Sequence, residues 1–341
     1  MKKWISLFAA VFLCLSLAAC TAQPDVSDPV SEPASSEQPA RLRPYVRVYA
    51  LAGPTGIGMA SLMEQSKKDT TDIIYNFTIA TKPDEVVSKV LSGEVDFAAV
   101  PTNLAATLYN KTEGDIRVIA INTLGVLYML QDGANDIKTV ADLKGKTIYS
   151  TGQGANPEYV LRYLLTKNGL DPDKDVEIVF VAENEELAAL VLNGTASVAL
   201  VPEPLATTLR TKKATVNTVL NLSDEWNKVT DDGSRLTMGC VITRKAIAEQ
   251  NADVVELFLT EYKASMNAAI ANPTAVGALC QEYGILPNAE LAAKAIPKCS
   301  MLFVKGTEMK TMLSGYLKVL YDANPKAVGG KLPDDAFYFG A

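Results

Sequence analysis

The chain has 341 residues, 48% of them hydrophobic, with 32 Lys and Arg against 39 Asp and Glu and a formal net charge of −7. That balance excludes recognition of nucleic acid or anionic lipid through a basic surface. Histidine is absent, which removes the commonest general base and the commonest zinc ligand, so Ser-His and Cys-His catalytic pairs cannot be assembled. Without paired-carboxylate, phosphate-loop or clustered-cysteine motifs, neither an enzyme nor a metal or cofactor site is expected.

The chain opens with Met1-Lys2-Lys3 and an apolar run through Ala19 broken only by Ser6 and Ser16. Residues 1–19 therefore read as a secretory signal peptide, too short and wrongly flanked for a membrane span. The run ends in Leu17-Ala18-Ala19-Cys20, which resembles a bacterial lipobox and implies diacylglyceryl transfer to the Cys20 thiol. Residues 21–44 hold five prolines, four serines, four acidic residues and no aromatic. Such a composition cannot bury enough apolar surface to offset chain entropy, so 20–44 is expected to be a lipidated cysteine and disordered tether.

Alternating Val46, Val48 and Ala50 predict a first strand, followed by a Gly53-Pro54-Thr55-Gly56 turn, a helix carrying Met59, Leu62 and Met63, and a second strand over 75–79. A helix with Val86, Val87, Val90 and Leu91 then leads to a segment that occurs twice. Residues 90–108 align without a gap to residues 191–209, with ten of nineteen positions identical. Each copy reads as a helix closed by Gly93 or Gly194, a buried strand, a Pro and a new helix. Duplication at this distance implies two similar α/β lobes rather than a tandem array.

After a strand over 116–123 the chain is expected to cross near Leu124-Gly125, enter a second lobe with a strand over 126–130, and repeat the plan. Strands at 147–150, 176–181 and 216–220 alternate with helices at 157–168 and 185–193. A strand over 236–242 returns to the first lobe, and the remainder reads as helices over 254–271, 275–283 and 309–321. The βαβα order predicts mostly parallel sheets. Lobe one is thus assigned to 45–124 and 239–341, its C-terminal helices forming a cap, and lobe two to 125–238. In an exported protein Cys280 and Cys299 are the expected disulfide pair, leaving Cys240 as a buried thiol.

The lipobox, the duplicated segments, Asp142-Leu143-Lys144-Gly145-Lys146 before a strand, Gly169-Leu170-Asp171-Pro172 after a helix and Pro202-Glu203-Pro204 together resemble substrate-binding lipoproteins of bacterial ABC importers. Within these, the chain looks most like the nitrate, sulfonate, taurine and thiamine-pyrimidine binders. The resemblance implies an α/β, two-lobed type II periplasmic-binding-protein fold. It also implies a monomer, lipid-anchored on the extracytoplasmic face of the cell membrane, that captures a small solute and delivers it to the transmembrane subunits of an ABC permease. A secreted enzyme or a sensor subunit on the same bilobal plan is the alternative.

Ligands of open α/β sheets sit beyond the carboxyl ends of the strands. Four loops are therefore expected to converge: Gly53, Thr55 and Gly56; Thr102 and Asn103; Thr151, Gly152, Gln153 and Asn156; and Glu203. Each stands at a helix start, where free NH groups favour an acceptor. These loops contain no Lys or Arg, which points away from a strongly anionic ligand. Tyr49, Tyr128, Tyr159 and Trp226 are the candidate stacking partners.

Overall fold

A computed structural model describes residues 43–341; the signal peptide, Cys20 and nearly all of the tether lie outside the described residues. Strands β1 (Tyr45–Leu51), β2 (Ile74–Ala80), β3 (Phe97–Pro101) and β4 (Ile116–Leu124) begin a first sheet. The chain then leaves it. Strands β5 (Leu127–Asp132), β6 (Thr147–Ser150), β7 (Glu177–Phe180), β8 (Val198–Pro202) and β9 (Val216–Asn221) build a second sheet, and β10 (Thr237–Arg244) and β11 (Met301–Val304) return to the first.

The strand orders are β11-β4-β10-β3-β1-β2 and β7-β6-β8-β5-β9. In each, the strand that arrives from across the molecule runs antiparallel to its neighbours: β10 between β3 and β4, and β5 between β8 and β9. The parallel pairs are β1 with β2 and β3, and β6 with β7 and β8. The two copies of the duplicated segment occupy matching positions. Strands β3 and β8 each lie between a parallel neighbour (β1, β6) and the antiparallel crossing strand (β10, β5). Four of five residues in each are buried, as expected where helices cover both faces of a sheet.

Gly93 and Gly194 end the preceding helices with φ of 72° and 85°, a left-handed conformation that a side chain would resist. Between them and the strands the copies differ. Asp96 accepts from the Arg47 backbone NH at 2.8 Å, from Arg47 Nε at 3.0 Å and Nη2 at 2.8 Å, and from Arg244 Nη2 at 3.4 Å. One carboxylate thus ties β1 and β10 to the entry of β3. Ser197, its counterpart in the second copy, has no charge to do so.

The C-terminal part adds features absent from the helical expectation. A short helix, Ala289–Ala295, precedes β11, whose four residues pair antiparallel with β4 at the edge of the first sheet. Its brief apolar run could not be told from helix by periodicity. The long helix Gly306–Ala323 packs Tyr316 against Trp226 at 5.6 Å between ring centroids, and Trp226 in turn meets Tyr163 at 4.7 Å. This aromatic chain joins the C-terminal helix to helices on the second sheet.

The expected Cys280–Cys299 bridge is not formed. Cys240, Cys280 and Cys299 carry free thiols, all fully buried. Cys280 and Cys299 sit among Ile57, Ala269, Val276 and Ile285 as small apolar side chains, and burial pushes the Cys280 thiol up to about 12.

Candidate functional site

Where the carboxyl ends of both sheets approach one another there is a cavity of about 340 Å³. From the first lobe it is lined by Pro54 and Thr55 after β1, Pro101 at the end of β3 and Asn103 just beyond it, and Thr123 and Met238 at the facing ends of β4 and β10. Val126 stands at the crossing, and Ala155, Asn156 and Pro157 form the wall from the second lobe. Among the described residues, none that lines the cavity is charged.

Thr55 and Asn156 are each tied to a neighbouring element. The backbone carbonyl of Thr55 accepts from Asn122 Nδ2 at 3.2 Å, and the same amide donates to the buried Tyr262 hydroxyl at 2.9 Å. Gly239 on β10 lets this arrangement close. A methyl there would lie 2.5 Å from Asn122 Oδ1, 2.5 Å from Thr55 Cγ2 and 2.9 Å from Thr123 Cβ. Asn103 is in the first turn of the helix Thr102–Lys111, and Asn156 begins the helix Asn156–Lys167. Asn156 Nδ2 donates to Asn103 Oδ1 at 3.2 Å, a hydrogen bond between the two walls.

The loop before Asn156 is fastened on its outer side. Gly154 NH donates to Glu158 Oε2 at 2.7 Å, and the Tyr159 hydroxyl donates to the Gly154 carbonyl at 2.8 Å while accepting from Asn324 Nδ2 at 2.8 Å. Tyr128 donates to the Lys298 carbonyl at 2.7 Å. These tyrosines tie the second sheet's wall to the C-terminal region. Trp226 is fully buried, and neither it, Tyr128, Tyr159 nor Tyr49 is among the residues that line the cavity.

Of the residues expected at the site, Thr55, Asn103 and Asn156 are brought together. Gly53 and Gly56 shape the turn around Thr55; Gly53 NH donates to the Ile285 carbonyl at 2.8 Å, and Gly56 is packed against the Leu51 carbonyl. Thr102 is fully buried with its hydroxyl donating to the Thr237 carbonyl at 2.7 Å, so it ties its helix to β10. Thr151 bonds Asn184 Oδ1 at 3.1 Å, Gly152 packs beside Pro157, and Gln153 is exposed.

Glu203 is placed differently from the expectation. It is 2% exposed, and its carboxylate accepts from Thr207 NH at 3.1 Å, Thr207 Oγ1 at 3.0 Å and Arg210 Nη2 at 3.2 Å. It therefore caps its own helix, Leu205–Lys212, and is not among the lining residues. Burial pushes its carboxyl above the usual range, against the hydrogen bonds from Thr207 and the charge of Arg210. Sequence reasoning missed Thr123, Val126 and Met238. The signal was present: all three flank the crossings between lobes, where the floor of any cleft must lie.

Two α/β lobes of matching strand order, joined by crossing strands and facing one another across a cavity, define the type II periplasmic-binding-protein fold. Residues 76–276 match the family model described as NMT1/THI5 like, and the chain belongs to that family. Among solved structures, an ABC transporter protein from Parabacteroides distasonis is similar with a TM-score of 0.72 at 23% identity, over 86% of this chain and 98% of that one. The periplasmic aliphatic sulphonate binding protein SsuA of Escherichia coli gives 0.67 at 14% identity, over 85% and 92%. The alkanesulfonate-binding SsuA of Xanthomonas axonopodis bound to MOPS gives 0.59 at 13%, over 86% and 96%. At these identities the likeness establishes the fold. No curated protein matches the chain by sequence.

Proposed function

We propose that this protein is the solute-binding subunit of an ABC importer, exported, anchored through a lipid on Cys20, and working as a monomer that carries a small uncharged polar molecule to its permease. Lobe one comprises 45–124 and 239–341, lobe two 125–238, and the cleft between them opens and shuts about the two crossings. Ligand contacts come from Thr55 and Asn103 on one wall and Asn156 on the other. The observation that supports this reading best is the cavity itself: it is contributed by both lobes, of small-molecule size, and lined by apolar side chains with a few hydroxyl and amide groups and no charge.

The fold's relatives named for sulfonates do not carry their ligand over to this chain. A sulfonate in a desolvated cleft needs charge-assisted partners, most effectively a bidentate Arg, and none lines this cavity among the described residues. Catalysis has little to work with here. The lining supplies no titratable group, so a solute should leave chemically unchanged. Mass spectrometry of whatever co-purifies with the protein tests this: an intact neutral solute, released on denaturation, supports the proposal, and a bound anion or a chemically altered product refutes it.

A further inference from the structure

The amide pair in the cavity lining goes further than size and charge. Asn156 is 8% exposed, lines the cavity, and spends its Nδ2 on Asn103 Oδ1 across the two walls at 3.2 Å. Its Oδ1 is buried with no partner among the described residues. A buried acceptor left unpaired is costly, and native structures rarely keep one unless something else supplies the donor. No lining residue does so. Asn103 meets Asn156 through its Oδ1 and not its Nδ2, Thr55 and Thr123 carry hydroxyls that do not reach it, and the remaining lining side chains are Pro, Ala, Val and Met.

We propose that Asn103 and Asn156 form a latch that sets specificity: the amide-to-amide hydrogen bond holds the lobes together, and the free Asn156 Oδ1 receives an N–H from the bound molecule. The ligand class is therefore uncharged molecules that present an N–H donor, such as amides, lactams and ureides. Nitrate and simple sulfonates and carboxylates, which offer acceptors only, are disfavoured because they would leave Asn156 Oδ1 unpaired. The selectivity follows from asymmetry in hydrogen bonding: a site built to meet a donor rejects the analogue that lacks it far more strongly than apolar contacts discriminate size. The inference rests on the reading of the cleft as a solute site.

The two walls also make the latch conditional. Asn103 and Asn156 stand on different lobes, so their hydrogen bond exists only when the cleft is shut, and the orphan oxygen is created by the same closure. A ligand N–H stabilises the shut form selectively, which is what a ligand must do to shift an opening equilibrium.

The test uses the full-length protein and a library in which N–H compounds (hydantoin, pyrrolidinone, allantoin, nicotinamide) are matched with their fully N-methylated forms and accompanied by nitrate, methanesulfonate and acetate. Binding is measured by calorimetry on the wild type and on Asn156→Leu. Hits confined to N–H compounds, weakened at least about tenfold by N-methylation and by Asn156→Leu, are expected. The N-methylation series is read on the wild type, and the melting temperature of Asn156→Leu separates lost recognition from a misfolded wall. Tight binding of acceptor-only anions, or N-methylation without effect, overturns the donor requirement while leaving the solute-binding function standing. Failure of every compound to bind overturns both.

Discussion

Adding one methyl at Gly239 should damage the cavity from below. The Cβ of Gly239→Ala would stand 2.5 Å from Asn122 Oδ1 and Thr55 Cγ2 and 2.9 Å from Thr123 Cβ, whereas ordinary contact requires roughly 3.5 Å, so the neighbours must retreat by about 1 Å. They are poorly placed to do so. Asn122 is held by hydrogen bonds to Thr55 and to the fully buried Tyr262, and β10 is fixed between β3 and β4. Overpacking of this kind costs about 1–3 kcal/mol. Because Thr55 and Thr123 line the cavity, the displacement falls on the ligand surface as well, and affinity for the co-purified solute should fall at least about tenfold. Thermal melting and calorimetric titration well below the melting temperature read the two effects separately. A variant that melts and binds like the wild type would show that the floor is not formed as described.

Other perturbations separate the site from its scaffold. Glu203→Ala removes the cap of Leu205–Lys212 and the partner of Arg210, so it should lower stability by about 1–2 kcal/mol and leave affinity intact; calorimetry showing a tenfold loss would return Glu203 to the ligand site. Asp96→Asn should cost about 1.5–3 kcal/mol at neutral pH through its contacts with Arg47 and Arg244. Burial pushes the Asp96 carboxyl up, but the Arg47 hydrogen bonds outweigh it and hold the carboxyl below its ordinary value. Its stabilisation is therefore present above the ordinary carboxylate range and lost as pH falls through the lowered value, so melting temperature should depend less on acid pH in the variant. Cys20→Ser should move the protein from the membrane to the soluble fraction without altering its melting or binding; persistence in carbonate-washed membranes would refute lipid anchoring.

Much of this architecture was written in local sequence. The 19-residue duplication announced two matching βα units, and β3 and β8 duly occupy matching places in the two sheets. Apolar runs bounded by Gly or Pro gave the strands, since Val, Ile and Ala at these positions fit a pleated surface covered on both sides. What local pattern does not encode is which of two equivalent polar side chains points outward. Thr102 and Glu203 align in the repeat and follow the same Pro, yet one ties its helix to β10 and the other caps its helix, while Asn103 alone reaches the cavity. The Cys280 and Cys299 spacing suited a bridge, yet both thiols are free and packed in an apolar layer.

Hydrogen exchange with and without the co-purified solute tests closure of the cleft most directly. Binding between the lobes should slow exchange at 101–105 and 155–160 together, because Asn103 and Asn156 lie on opposite walls of the same cavity, while 203–208 stays unchanged. Protection confined to one of the two lobes, or appearing at Glu203 and its helix instead, would contradict capture between them.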